Sequence, residues 1–185
     1  LFEDGYLCWI NIKGLEIERC SNYFPKRFVC DEIFIQNRIP LILNWIDLQS
    51  KELNKYKWGG TLGPDFDCSG LIQAAFMRQG IYIPRDSYQI MHFCRHLFNF
   101  PGKTDQLQMG DLLFFGDNKI CNHIAIYSHE GIYYHSSGVE FGRDGISKEK
   151  LYESKSDDRT SKYYRSKLLC AGRVTRSYLW DKTLR

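Results

Sequence analysis

The chain has 185 residues, enough for one medium domain with a small appendage, and its 43% hydrophobic and 15% aromatic content supplies a full core. A formal net charge of +3 without any basic block leaves no electrostatic footprint for nucleic acid, so no nucleic-acid partner is expected. The longest apolar run, Ile39 to Ile46, is broken by Pro40 and Asn44 and is too short to span a bilayer, so no membrane partner is expected either.

Residues 1–35 differ from the rest of the chain. Gly5, Gly14 and Pro25 punctuate short β-prone runs, and Trp9 followed by Ile10 and Ile12 suggests a hairpin of a small barrel. The segment reads as the tail of a small β-domain, joined through a linker from Asn22 to Asn37. From Ile39 the period becomes helical, with Pro40 placed in the first turn of a helix that ends before Trp58-Gly59-Gly60. A second helix begins at Cys68, capped by Asp67, and stops at Gly80. Asp86-Ser87 caps a third, from about Tyr88 to His96.

Beyond Gly110 the period shortens to that of strands, at 111–115, 123–127, 132–135 and 168–175, with 140–165 read as loop plus a short surface helix. Helices followed by consecutive antiparallel strands make an α+β fold. Seven cysteines, Cys8, Cys20, Cys30, Cys68, Cys94, Cys121 and Cys170, form a scattered odd set. Such a set reads as reduced thiols of a cytoplasmic protein rather than a disulfide frame. No secretory leader is visible, and because the chain opens at Leu1 that expectation covers the given residues only.

Cys68 sits in the first turn of an apolar helix, where free backbone N–H groups and the dipole favour thiolate, and so is a candidate nucleophile. A thiol needs a base and the base needs a partner that holds its ring. His123 and His135 fall on consecutive strands. They share a face only if the turn near Glu130 has an odd number of unpaired residues or a bulge; a plain two-residue turn would put them on opposite faces. The expected roles are Cys68 as nucleophile, His123 as general base and acid, and His135 as its orienter. His92, His96 and His129 are read as structural or surface residues, the first two on the third helix and the last beside a turn. Cys94-Arg-His96 and Cys121-Asn-His123 lack the spacing of structural zinc pairs, so no metal and no cofactor are expected.

These motifs, in this order, resemble the NlpC-type cysteine peptidases of bacterial cell walls. The matching segments are Tyr56-Lys-Trp-Gly-Gly60, Asp67-Cys-Ser-Gly70, Met109-Gly-Asp-Leu-Leu-Phe-Phe115, Asn122-His-Ile-Ala-Ile-Tyr127 and Tyr134-His-Ser136. The resemblance implies a papain-like fold with helices packed on a central antiparallel sheet, preceded by a partial small β-barrel. Residues 1–35 then resemble the end of a bacterial SH3-like domain plus linker, and 36–185 the catalytic domain, closest to cyanobacterial enzymes.

The implied activity is hydrolysis of the γ-D-glutamyl–diamino acid bond of peptidoglycan stem peptides with a free N-terminal L-alanine, in cell-wall recycling, so the expected partner is a peptidoglycan-derived peptide. Tyr56 is implied near the oxyanion, and Tyr6, Asp67, Ser69, Arg85 and Asp86 near the substrate, with Arg85 on the α-carboxylate and Asp86 on the ammonium. Glu16 or Glu18 adds negative charge near the amine, with nothing to decide between them. Lys55 departs from the proline often found before that tyrosine. The alternatives are an amidase or acyltransferase on the same fold and a non-catalytic wall-binding module.

Overall fold

The computed structural model describes residues 12–16, 30–100, 104–152 and 158–178. Helix α1 spans Glu32–Gln49, α2 Cys68–Met77, α3 Ser87–Phe93 and α4 Arg159–Lys167. Strands β1 Arg95–Asn99, β2 Leu112–Asp117, β3 Ile120–Tyr127, β4 Ile132–Ser137, β5 Gly145–Lys150 and β6 Leu168–Arg173 form one antiparallel sheet in the order β1-β6-β2-β3-β4-β5. This is the expected α+β, papain-like arrangement, with two strands more than the sequence suggested.

Helix α1 starts seven residues before the expected Ile39. Asp31 caps it, accepting from the Phe34 N–H at 2.8 Å. Pro40 therefore lies mid-helix rather than in the first turn, and residues 32–37 are helix rather than linker. An internal proline costs about 3 kcal/mol. The stripe of Ile35, Ile39, Ile42, Leu43 and Ile46 is buried at about 1.5–3 kcal/mol each, so the stripe wins. Pro40 also faces solvent, where water can satisfy the carbonyl its ring leaves unpaired. The third helix is shorter than expected: it ends at Phe93, and His96 stands on β1, paired with Gly172 of β6.

Both faces of the sheet are covered. Leu112, Phe114, Ile124 and Ile126 pack with α1, α2 and α3 in one core. Their neighbours Leu113, Phe115 and Ala125 pack with Tyr133, Tyr164 and Leu168 in a second core under α4. This is why β2 reads as a continuous apolar run rather than an alternating one. Strand β5 was hidden because it buries the charged Glu149 as well as Ile146, so its pattern is not that of an apolar face. Asp111 is fully buried and binds Arg173 through Nε at 2.6 Å and Nη2 at 2.8 Å, tying the start of β2 to the end of β6. Asp111→Ala strands the guanidinium, and equilibrium urea unfolding is expected to show a loss of roughly 3–5 kcal/mol.

Candidate active site

The loop before α2 is held against it by backbone contact. Gly60 follows a turn closed by its N–H on the Lys57 carbonyl at 2.8 Å, and the Asp67 N–H returns to the Gly60 carbonyl at 3.2 Å. A Cβ on Gly70 would stand 2.0 Å from that carbonyl oxygen, so only glycine lets the first turn of α2 approach the loop. Asp67 caps α2, accepting from the Gly70 N–H at 2.6 Å through Oδ1 and from the Gly59 N–H at 2.8 Å through Oδ2. Cys68, immediately after this cap, is 7% exposed.

The start of α2 meets the sheet where β3 and β4 part. Those strands pair only at Ile126–Tyr134 and Tyr127–Tyr133. Ser136 on β4 donates to the Phe66 carbonyl at 2.7 Å, and the Ile124 N–H on β3 is near enough to favour the Cys68 thiolate. The thiol thus lies against the residue next to His123, at the opening between the strands.

The register decides where the histidines point. His129 to Ile132 form a two-residue turn at Glu130-Gly131, both with positive φ, closed by the Ile132 N–H on the His129 carbonyl at 2.8 Å. The Ser128 N–H also bonds the Ile132 carbonyl at 2.8 Å, so Ser128 and His129 together oppose one residue. That bulge restores the odd offset, and His123 and His135 share the face under α4. Their rings meet edge to face, with Nε2 of His123 2.8 Å from Nδ1 of His135.

Burial sets the charge states. The Cys68 thiol is pushed up to about 12, first by desolvation and then by the Asp67 carboxylate, against the pull of the Ile124 and Ser69 N–H groups. At this depth burial opposes the preference for thiolate that the helix terminus confers. His123 is pushed well below 6.5 by burial and by His135, and His135 is lowered by burial against the pull of Glu149. A neutral imidazole is the form of the ring that can accept a proton.

A cleft of about 210 Å³ opens on Cys68 and is lined by Tyr56, Trp58, Asp67, Ser69, Arg85, Asp86, Ser87, Tyr88, Cys121 and Asn122. All the described substrate candidates therefore meet there, while Tyr6 lies outside the described residues. Arg85 is 2% exposed; its Nη2 donates to Asp67 Oδ2 at 2.6 Å and its Nη1 to Ser69 Oγ at 2.7 Å. Burial raises Tyr56, with the charges of Cys68 and Asp67 adding to it, so its hydroxyl stays a donor. Glu16 is exposed and Glu18 lies outside the described residues. Cys121 turns its sulfur to the His123 carbonyl at 3.5 Å, and His92, His96 and His129 are exposed.

Two residues of the site were not singled out from sequence. Tyr164 of α4 stacks on His123 at 4.5 Å between centroids and meets His135 edge-on at 4.6 Å, with its hydroxyl 2.6 Å from Ser137 Oγ. Glu149 of β5 places Oε1 3.8 Å from His135 Nε2. Neither carries a local motif; they lie in a stretch whose charge reads as loop plus a short surface helix, which gives no sign that Tyr164 and Glu149 turn inward.

A cysteine at a helix start beside a cleft, with a histidine pair on the antiparallel sheet that the helix packs against, is the arrangement of a papain-like site. The family profile described as NlpC/P60 matches residues 53–171, more than half of the chain, which therefore belongs to the NlpC/P60 family. It is 33% identical over 110 residues to the dipeptidyl-peptidase 6 of Lysinibacillus sphaericus, covering 58% of this chain and 34% of that one. It is 35% identical over 88 residues to a γ-D-glutamyl-L-lysine dipeptidyl-peptidase of Bacillus cereus, covering 46% and 25%. The chain thus spans well under half the length of these curated relatives. The crystal structure of an NlpC/P60 family protein from Bacillus cereus superposes with a TM-score of 0.57 and 26% identity over 73% of this chain and 39% of that one.

The buried histidine also has a thermodynamic consequence. Because His123 titrates below 6.5 when folded, the unfolded chain binds its proton more readily, and stability drains away as pH falls through 6.5 towards the folded value. Urea midpoints at pH 7 and pH 5 are expected to differ more in the parent than in His123→Gln, which cannot take up that proton.

Proposed function

We propose that the chain is a cysteine endopeptidase that hydrolyses the γ-D-glutamyl–diamino acid bond of peptidoglycan stem peptides. The observation that carries this reading is the 2.8 Å contact of His123 with His135, in a chain whose cleft opens on the helix-start Cys68. A relative whose name specifies γ-D-glutamyl-L-lysine cleavage supports the bond.

In this mechanism the Cys68 sulfur attacks the carbonyl carbon as its proton passes to Nδ1 of His123, the nitrogen not facing His135. The Nε2 proton of His123 stays hydrogen-bonded to His135, which holds the ring through the transfer. The Tyr56 hydroxyl donates to the developing oxyanion. Collapse expels the diamino acid amine with the His123 proton, and water activated by the same ring then cleaves the thioester and frees Cys68.

The finer part of the proposal is a substrate with a free N-terminal L-alanine, used in cytoplasmic recycling, and the scattered cysteine set supports that compartment. Arg85 and Ser69 receive the α-carboxylate of the D-glutamate, and Asp86 the alanine ammonium. Asp67 already faces Arg85. The carboxylate therefore meets a guanidinium whose charge is shared, and recognition rests on Ser69 and Asp86 as much as on Arg85.

Incubation with L-Ala-γ-D-Glu-diaminopimelate, and with its N-acetylated form, separates the parts. Hydrolysis of the free-amine peptide alone, reduced by roughly 10⁴-fold or more in Cys68→Ala, is the expected result. Equal cleavage of both peptides removes the free-amine requirement. Undiminished cleavage by Cys68→Ala removes the nucleophile.

A further inference from the structure

The histidine pair leaves one nitrogen to be accounted for. If Nδ1 of His123 receives the thiol proton, Nε2 must carry hydrogen and donate to His135 Nδ1, so His135 must carry its own hydrogen on Nε2. That Nε2 is fully buried, with no hydrogen-bond partner among the described residues, and the oxygen nearest to it in ion-pair range is Glu149 Oε1 at 3.8 Å. We infer that Glu149 is a positioning residue for the pair, its carboxylate fixing the tautomer of His135 and thereby the hydrogen on Nε2 of His123. The inference rests on the proposed roles of Cys68 and the two histidines.

Three features make Glu149 suited to this. It stands on β5 opposite Tyr133, one step along the same sheet face from the Ser147–His135 pair, so its side chain reaches His135 diagonally. It is 2% exposed, in surroundings where a carboxylate acts on a neighbouring ring more strongly than in water. And it is held: Arg143 Nε donates to Oε1 at 2.8 Å, Ser147 Oγ to Oε1 at 3.4 Å, and Ser161 Oγ to Oε2 at 2.5 Å.

Hydrogen bonding and these charges keep Glu149 below the usual carboxylate range despite its burial, so it is ionised at neutral pH. The charged and titratable groups around it are His135, Arg143 and, through Arg143, Asp158, with the Tyr133 hydroxyl also in its field. Arg143 offsets part of the negative charge, and what remains faces the ring. At 3.8 Å the contact is longer than a direct hydrogen bond. Such contacts shorten when the neighbouring imidazole becomes cationic, and a charge on His123 during acyl transfer draws the Nε2–H of His135 toward Glu149.

The test compares the parent with Glu149→Gln, whose amide can either donate to or accept from Nε2 and so specifies no tautomer. Nitrogen-15 NMR of the imidazoles in the resting proteins is expected to show Nε2–H on both histidines of the parent and mixed tautomers in the variant. Steady-state kinetics on the free-amine peptide should show kcat lower by about 10–100-fold with KM nearly unchanged. Protonation of His135 at Nδ1 in the parent overturns the inference. So does a variant whose tautomers match the parent, whatever happens to its thermal midpoint, since lost packing alone would leave the proton where it was. If the parent fails to cleave the peptide, the proposed function fails, while the NMR comparison still decides the role of Glu149.

Discussion

The carboxylate of Asp67 is the fixed point of the molecule. One oxygen accepts from the Gly70 N–H and from Arg85, the other from the Gly59 N–H and again from Arg85. With these contacts it starts a helix, pins the preceding loop and buries a guanidinium that would otherwise be costly to desolvate. Cys68 inherits its position from all three. The neighbouring Gly60–Gly70 approach tightens the same corner, because a helix capped from its side chain and pressed at its first turn cannot slide. What looks in sequence like a short motif around a cysteine is, in space, a small rigid clamp.

That clamp drives the thiol deep enough to reverse the usual argument about helix-start cysteines. The dipole and the N–H groups of Ser69 and Ile124 favour the anion, yet desolvation is the larger effect and Asp67 adds to it. The same burial keeps His123 neutral. Desolvation thus favours the neutral form of both groups. Charge appears only as a proton moves, and the groups placed around the rings then matter most: Tyr164 stacked on His123, His135 against its edge, and Glu149 behind. Tyr164 also keeps water from the face of His123 that it covers.

Residues with strong local chemistry were legible in the sequence. The Asp67 cap, the buried strand after Gly110, the two histidine strands and the antiparallel order come from capping, period and turn signals. The register was legible in part: alternation demanded an odd loop or a bulge if the histidines were to meet, and the chain supplies a two-residue turn with a bulge beside it. Other features depend on tertiary structure. Helix α1 runs through Pro40 because a buried isoleucine stripe outweighs local preference. His96 leaves its helix because β6 offers β1 a pairing edge. Strand β5 turns Glu149 inward, a placement that makes sense only once Arg143, Ser161 and His135 surround it.

Nucleophile and base approach the sheet from opposite faces. Helix α2 packs with α1 and α3 on one core, while His123 and His135 belong with Tyr164 to the side that α4 covers. Strands β3 and β4 pair over two residues only, and the loop before α2 bonds β4 beyond that point through the Phe66 carbonyl and Ser136. Extending that ladder would satisfy more strand backbone groups but would take Ser136 and the Phe66 carbonyl away from each other. The Phe66 carbonyl, bonded to Ser136, shows how part of the cost is met: the loop before α2 takes up a bond on β4 beyond the ladder. The short β3–β4 ladder and the loop that carries the start of α2 are thus two sides of one arrangement.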